Sequence, residues 1–368
     1  MAVRPEFMAM RLGGASILER QLHALSQAGF SRVWVSARQP EPGVLGSVRL
    51  PKGLEIFWAG AQGGKSCDPP YVSVSGDYLV SADILRTMRR RAAGKQAGFC
   101  YADGEGSTVA QFFPKLPDLL HNTPRRTSET APPQSYVALQ LPPGDREASE
   151  WIFKSAVRPN DGFMARHFDR KISLWITRRL VKFGTPPSLM TLASLAVGLA
   201  GAACFLFPGR GWAVLGAVLV WTHSILDGCD GELARVSMRE SAFGRWLDYW
   251  SDSLVHVSLF GCLGVGLFWQ GRPWSRELAA SAIFSTIVAA LAVYARRAAP
   301  DTALPSRGLA RLRVYLEQRD FIYVLVIMAA LGMSYEFLWL AAAGTAFFLL
   351  ILFLAPSGDL EDENGTQH

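Results

Sequence analysis

The stretch SILDGCDGELARVSMRESAFGRWLDYWSDSL, residues 224–254, places four aspartates between two apolar segments: Asp227, Asp230, Asp248 and Asp252. A charged side chain in the middle of a membrane costs on the order of 2.5–3.5 kcal/mol, so such residues usually line a cavity and have a function. We therefore expect these four carboxylates to have a function that offsets their cost of insertion.

The spacing of the aspartates indicates how they meet. Asp227 and Asp230 are three residues apart and Asp248 and Asp252 are four apart, so each pair shares one face of a helix. If the two segments form a hairpin, the faces converge, and four carboxylates without counter-ions repel one another. Divalent cations remove this repulsion, and hard oxygen ligands suit Mg²⁺ or Mn²⁺. Two such ions held close together would stabilise the attacking and leaving oxygens of a phosphoryl transfer.

Small residues accompany the aspartates. Gly231 and Ala234 follow Asp230, and Gly244 lies one turn before Asp248, so a backbone or a flat ligand can approach closely. Arg235 is placed to neutralise a phosphate.

A second interpretation makes the aspartates structural. They would then form buried salt bridges with Arg235, Arg239 and Arg245 in a transporter or a plain helix bundle. Salt bridges alone would not require small residues at three positions, which favours the ligand-binding interpretation.

The composition separates the chain into a mixed half and an apolar half. The chain has 368 residues and a mean hydropathy of +0.17, but residues 185–355 are mostly apolar. The net charge is +6, and the basic residues cluster beside apolar segments, as the positive-inside rule describes, rather than as in a nucleic-acid-binding protein. The five cysteines form neither a CxxC pair nor a zinc-binding spacing.

The apolar half predicts six membrane-spanning helices, since a bilayer core needs about 20 apolar residues per helix. They are expected at about 187–207, 211–233, 244–269, 276–297, 320–334 and 336–355. The arginine-rich loops predict an integral protein of the cytoplasmic (inner) membrane, with both termini and all four aspartates on the cytoplasmic side. The start, MAVRPEFMAMRLGG, lacks the apolar core of a cleavable signal peptide, so we expect the amino-terminal half to stay in the cytoplasm.

An amphipathic helix is predicted just before the first span. Apolar residues recur at three- and four-residue steps, with basic residues between them, at Phe168, Ile172, Trp175, Ile176 and Leu180. Such a helix would lie on the membrane surface and contact lipids. The alternative is a linker helix packed on the amino-terminal domain.

The remaining segments complete a four-part organisation. Residues 1–150 alternate strand-like and helix-like patterns, which predicts an α/β domain with a parallel sheet. Residues 151–184 form a linker and the juxtamembrane helix, and residues 185–355 form the membrane domain. The polar, acidic tail, 356–368, is predicted to be disordered.

The aspartate segment resembles a known signature. Its pattern DxxDGxxARx(8)GxxxDxxxD matches that of the CDP-alcohol phosphotransferase (CDP-alcohol phosphatidyltransferase) family at all eight fixed positions. The broader resemblance covers about residues 160–355 and implies a surface helix followed by six transmembrane helices.

This resemblance implies a reaction and a set of roles. Family members transfer a substituted phosphate from a CDP-linked alcohol to the hydroxyl of a second alcohol and release CMP, in phospholipid or polyol-phosphodiester biosynthesis. Two Mg²⁺ or Mn²⁺ ions are implied, with Asp252 as both a ligand and the general base. The other implied ligands are Asp227, Asp230 and Asp248. The residues implied to border CDP are Asp227, Gly231, Ala234, Arg235 and Gly244. A homodimer is also implied, as is a site that opens to the cytoplasm.

Two further stretches of the membrane half resemble parts of the family. TPPSLMT, residues 185–191, is similar to the segment that begins the first span, where its role looks structural. The basic stretch 294–321 resembles the loop that binds the phosphate of a phosphorylated polyol acceptor, with Arg297 and Arg319 as candidates and Arg296 next. The alternative is a positive-inside loop that contacts lipid headgroups.

The amino-terminal half resembles the nucleotidyltransferase fold. The similar stretches are SILERQLHALSQAGFSRVWVSA, from residue 16, and VSVSGDYLVSADIL, from residue 72. Inositol-phosphate cytidylyltransferase/di-inositol-phosphate-phosphate synthase fusions join such a domain to a CDP-alcohol phosphotransferase. Here RLGGAS stands where an active enzyme has a Gly-rich loop followed by lysine, so we expect a degenerate domain, with Asp77 as its remaining candidate metal ligand. A catalytically active domain is the alternative.

Three functional alternatives stay open at this point. The donor is either a soluble CDP-polyol or the lipid CDP-diacylglycerol. A non-catalytic membrane scaffold or transporter that keeps the motif is the third.

Overall fold

A computed structural model of the protein describes residues 10–35, 49–58, 71–92, 98–113, 127–132, 134–139, 146–157, 164–297 and 321–354. The chain divides into two units. One comprises Met1–Ala156 with Val236–Met238, and the other Val157–Arg235 with Arg239–His368.

The first unit is an α/β structure. Its helices are α1 (Ile17–Gln27), α2 (Ala82–Ala92) and α3 (Arg146–Ser155). Its strands are β1 (Arg11–Leu12), β2 (Ala15–Ser16), β3 (Arg32–Val35), β4 (Glu55–Trp58), β5 (Tyr71–Val74), β6 (Tyr78–Val80), β7 (Phe99–Ala102), β8 (Thr108–Phe113), β9 (Thr127–Thr130) and β10 (Tyr136–Ala138). The predicted α/β class is confirmed for this region; the nucleotidyltransferase resemblance remains a prediction.

The strands of this unit pair in both directions, so the prediction of a parallel sheet is only partly right. β3 and β4 are parallel, as are β7 and β9, whereas β5 and β7 both pair antiparallel with β8. The turn between β7 and β8 explains the antiparallel pairing of these two strands, because the Asp103 carboxylate accepts the backbone N–H groups of Glu105 and Ser107. Such a tight turn joins two strands antiparallel, whereas a parallel pair needs a longer crossover.

Asp103 also links this turn to β6. Its carboxylate accepts the Tyr78 hydroxyl at 2.7 Å, which lowers the pKa of Asp103 below its usual value. Burial raises the pKa of Tyr78 to about 12. Asp77 lies in the preceding turn, where its carbonyl accepts the N–H of Leu139, and its role as a metal ligand stays a prediction.

The second unit begins with the predicted amphipathic helix. A π-helical turn, Ala165–Asp169, leads into α4 (Arg170–Lys182). The buried face of this helix is polar, with Ser173 and Thr177, whereas Phe168 and Trp175 are exposed. An apolar face that is not covered by protein is what a helix at a membrane surface requires. We therefore keep the prediction that α4 lies on the membrane surface. The alternative is a linker helix packed on the amino-terminal domain.

Six apolar helices follow in the part of the chain that the structure describes. They are α5 (Pro187–Cys204), α6 (Arg210–Val236), α7 (Ala242–Trp269), α8 (Ser275–Arg297), α9 (Phe321–Leu331) and α10 (Ser334–Leu354). Five of them, all except α9, are long and apolar enough to cross a membrane, which identifies an integral membrane protein. Within the described residues α9 is shorter, so the sixth span remains a prediction.

Glycines let these helices approach closely. A Cβ atom at Gly201 of α5 would lie 2.9 Å from the carbonyl oxygen of Gly216 in α6. Small residues at such contacts are typical of helix pairs in membranes. The core beside this contact contains Phe205, Val220 and Leu259, all buried.

We expect Gly266→Ala to destabilise the membrane unit. A Cβ at Gly266 of α7 would lie 2.0 Å from the backbone carbonyl oxygen of Phe205, and a backbone atom cannot rotate away. Overpacking of this kind costs about 1–3 kcal/mol. Thermal unfolding in detergent measures the effect against Gly261→Ala, whose nearest contact would be Ile283 at 3.7 Å. Equal unfolding temperatures for the two variants would contradict the close contact.

Candidate active site

A short break between α6 and α7 positions the aspartate motif. α6 ends at Val236 and α7 begins at Ala242. Between them Met238 adopts a positive φ of 52°, and the Ser241 hydroxyl accepts the N–H of Gly244 at 2.9 Å, which caps α7. The last turns of α6 and the first turns of α7 therefore carry the aspartates on both sides of one break.

The side chains of all four predicted aspartates come together. Ligand atoms of Asp227, Asp230 and Asp248 lie within 4.8 Å of one another, and so do ligand atoms of Asp227, Asp252 and His223. The two groups share Asp227. The hairpin interpretation of the sequence thus agrees with the geometry, and the structure adds a histidine that the sequence analysis did not include.

The two helices contribute differently to the solvent exposure of this site. Asp227 and Asp230 on α6 are each 4% exposed. On α7, the Asp252 side chain is 22% exposed, and Asp248 is also partly exposed. The aspartates on α6 are therefore buried, whereas those on α7 are accessible to solvent. A donor set rich in carboxylate oxygens fits a divalent cation such as Mg²⁺ or Mn²⁺.

Thr191 of α5 holds one of the buried aspartates. Its hydroxyl donates to the Asp230 carboxylate, and Thr191 itself is 2% exposed. A hydrogen bond to a carboxylate fixes the orientation of the group and offsets part of its burial cost. The TPPSLMT stretch that contains Thr191 is recognisable in the sequence, but its contact with the motif is not.

His223 is the second residue that sequence analysis missed. It is 1% exposed and lies four residues before Asp227 on α6, a helical spacing that was available as a signal. Its Nδ1 is 2.9 Å from the Ser194 carbonyl oxygen, and its Nε2 is 3.6 Å from an Asp252 carboxylate oxygen.

The small residues of the motif leave room for Arg235. A Cβ at Gly231 would lie 3.1 Å from Arg235 Nη1, so the guanidinium lies over the bare face of the helix. A Cβ at Gly244 would lie 3.0 Å from the Ser241 hydroxyl that caps α7. Ala234 is partly buried on the same turn of α6 as Arg235.

Two arginines of the salt-bridge alternative have other environments. Arg239 donates to the carbonyl oxygen of Gly184 at 3.0 Å. Arg245 is exposed, so any ion pair that it forms is a surface pair. Exposed pairs contribute little stability, which weakens a purely structural account of the aspartates.

The predicted acceptor-phosphate residues lie at or beyond the limit of the described chain. Arg296 and Arg297 are the last two residues of α8, and their side chains lie outside the described part of the structure. Arg319 lies wholly outside the described residues. The role of all three stays a prediction.

A buried carboxylate attaches α4 to the helix that carries the site. Glu232 of α6 is fully buried and accepts hydrogen bonds from Arg170 at 3.0 Å, Ser173 at 2.6 Å and Thr177 at 2.9 Å. A Cβ at Gly228 would lie 2.6 Å from Arg170 Nη1, so this glycine makes room for the guanidinium. No local sequence pattern predicts this network, since the partners of Glu232 are 55–62 residues away along the chain.

Comparison with known proteins supports the assignment of the motif. Residues 185–354 match the family model described as CDP-alcohol phosphatidyltransferase. The chain is 32% identical over 142 residues to a "Bifunctional IPC transferase and DIPP synthase" of Aquifex aeolicus, covering 38% of this chain and 32% of that protein. It is 39% identical over 169 residues to a protein of the same name in Rubrobacter xylanophilus, covering 44% and 36%.

A third relative has a different name. The chain is 24% identical over 198 residues to a phosphatidylinositol phosphate synthase of Streptomyces avermitilis, covering 50% of this chain and 78% of that protein. The chain spans only about a third of the length of the two bifunctional relatives. These bifunctional relatives match the fusion that the sequence resembles, and the family-model match over residues 185–354 contains the whole aspartate motif.

Proposed function

We propose that this protein is a metal-dependent CDP-alcohol phosphotransferase. It transfers a substituted phosphate from a CDP-linked alcohol to the hydroxyl of a second alcohol and releases CMP. The observation that carries the proposal is the convergence of the four motif aspartates into two ligand groups that share Asp227. The family match over residues 185–354 supports the same reaction class.

Each aspartate has a proposed role. Asp227, Asp230, Asp248 and Asp252 would hold two Mg²⁺ or Mn²⁺ ions. When bound, these ions supply positive charge that stabilises the attacking and leaving oxygens of the transferred phosphate. Asp252 also takes the proton of the acceptor hydroxyl, and its 22% exposed side chain leaves it accessible to a substrate.

Residues next to the aspartates bind the donor. Three small residues, Gly231, Ala234 and Gly244, leave space for the CDP group. Asp227 also borders this group. Arg235, which lies over Gly231, provides a fixed positive charge for a phosphate oxygen. This arrangement positions the donor phosphate against the acceptor hydroxyl and lowers the entropic part of the barrier.

The membrane arrangement is part of the proposal. The distribution of arginines supports an inner-membrane location with the site and both termini in the cytoplasm. The exposed apolar face of α4 supports contact of this helix with lipids. A homodimer is expected from the family resemblance.

The donor is either a soluble CDP-polyol or CDP-diacylglycerol. The bifunctional relatives favour the first, because their names match the fusion with a cytidylyltransferase domain that the sequence resembles. The relative named phosphatidylinositol phosphate synthase keeps the lipid donor as the second candidate. The amino-terminal unit is proposed to be a degenerate nucleotidyltransferase-like domain. The non-catalytic alternative is a membrane scaffold or transporter that keeps the motif.

Release of CMP by the purified full-length protein tests the proposal. The assay offers CDP-diacylglycerol and soluble CDP-alcohols, each with and without phosphorylated polyols, in the presence of Mg²⁺ or Mn²⁺. Release that requires both the metal and an acceptor is expected, and the productive pair identifies the donor class. A folded protein that releases no CMP with any pair would favour the scaffold interpretation.

We expect Arg297→Ala to raise the KM for a phosphorylated acceptor by about tenfold or more, because a charge-assisted hydrogen bond contributes about 1.5–3 kcal/mol. The KM for the CDP-alcohol donor is expected to stay unchanged. Arg276→Ala, in the first turn of the same helix, is the matched control. An unchanged acceptor KM would assign Arg297 to lipid contact instead.

A further inference from the structure

His223 has a fixed orientation toward the aspartates. Its Nδ1 lies 2.9 Å from the carbonyl oxygen of Ser194. A carbonyl oxygen can only accept a hydrogen bond, so Nδ1 carries a proton, and in the neutral ring Nε2 is the nitrogen that presents a lone pair. Nε2 lies 3.6 Å from Asp252, within the ligand group that also contains Asp227.

This pattern is typical of a metal-binding histidine. Such residues donate the other ring N–H to a carbonyl or carboxylate, which fixes the tautomer and the plane of the ring. Here the packing reinforces the same orientation. A Cβ at Gly198 of α5 would lie 2.9 Å from His223 Cγ, so the ring occupies space that only a glycine leaves open.

We propose that His223 is a nitrogen ligand of one of the two metal ions, together with Asp227 and Asp252. The other ion then binds to three carboxylates, those of Asp227, Asp230 and Asp248. This inference rests on the proposed metal-dependent function and deepens it, because it makes the two metal positions chemically different.

The different ligand sets have different metal preferences. Mg²⁺ favours oxygen ligands, whereas imidazole suits first-row transition ions. The position with His223 therefore favours a transition ion over Mg²⁺, and the position with three carboxylates accepts Mg²⁺ or Mn²⁺. If His223 instead only orients Asp252, its nitrogen contacts no metal and this selectivity is absent.

Pulsed electron paramagnetic resonance of bound Mn²⁺ tests the ligand directly. The full-length protein in detergent is stripped with a chelator and loaded with Mn²⁺, without substrate. We expect a ¹⁴N coupling that changes to a ¹⁵N coupling when the chain carries ¹⁵N-labelled histidine. This measurement uses the wild-type chain, so it does not depend on the folding of a variant.

Variants then assign the nitrogen to one residue. His223→Gln is expected to lose the coupling and to weaken Mn²⁺ binding at one site by at least about tenfold, with a smaller change for Mg²⁺. His256→Gln, on α7, is the matched control and is expected to keep the coupling, because the ring of His256 packs 5.3 Å from that of Phe321.

The outcomes separate this inference from the proposed function. Bound Mn²⁺ without a histidine nitrogen coupling, or a coupling lost only in His256→Gln, overturns the role of His223 and leaves the aspartate site intact. If the wild-type protein binds no Mn²⁺, as is expected of Asp227→Asn, the metal site is overturned and so is the proposed function.

Discussion

Replacing Asp252 with asparagine is expected to lower kcat by at least about 10³-fold. A positioned general base contributes about 10²–10⁴-fold to a rate, and the substitution also removes a negative charge from a proposed metal position. The partly exposed location of Asp252 makes this change tolerable for folding. Steady-state CMP release at saturating donor and acceptor measures the effect.

The neighbouring Ser253 provides a matched control for Asp252. Its hydroxyl donates to the Tyr249 carbonyl of its own helix, so Ser253→Ala changes α7 without touching the ligand groups. We expect near wild-type turnover from Ser253→Ala and a similar unfolding temperature for both variants. Turnover of Asp252→Asn within a few-fold of wild type would rule out Asp252 as the base.

Replacing Glu232 with alanine is expected to destabilise the membrane unit by about 3–5 kcal/mol. This is the range for breaking a buried ion pair by removal of one partner, because the remaining charge keeps its desolvation cost. Glu232 is fully buried, and the Arg170 side chain is only 15% exposed. Ser173 and Thr177 also lose their shared acceptor. Thermal or denaturant unfolding in detergent measures the loss.

The exposed residue Glu240 is the control for this change. It lies in the break between α6 and α7, so Glu240→Ala removes the same charge from the surface. We expect a change within about 0.5 kcal/mol for this variant. Glu232→Gln keeps an acceptor for the hydroxyls and is expected to fall between the two. Equal stability of Glu232→Ala and Glu240→Ala would show that the network does not stabilise α4 against α6.

The sequence by itself determined the motif and the elements that carry it. Spacings of three and four residues place Asp227 with Asp230 and Asp248 with Asp252, because a helix repeats about every 3.6 residues. Long apolar runs likewise located the helices of the membrane half to within a few residues. These inferences depend on local periodicity, which a sequence displays directly.

Only the tertiary structure decided what surrounds the motif. Thr191 meets Asp230 across 39 residues and His223 meets the Ser194 carbonyl across 29, and no local pattern encodes such contacts. They depend on which faces of α5 and α6 pack together, and Gly201 and Gly198 of α5 allow the close approaches at this contact. The polar buried face of α4 was also hidden, since the sequence shows which residues share a face but not which face is covered. Which face of α4 is covered depends on helix packing and on the buried charge of Glu232. Both arise only when the helices assemble.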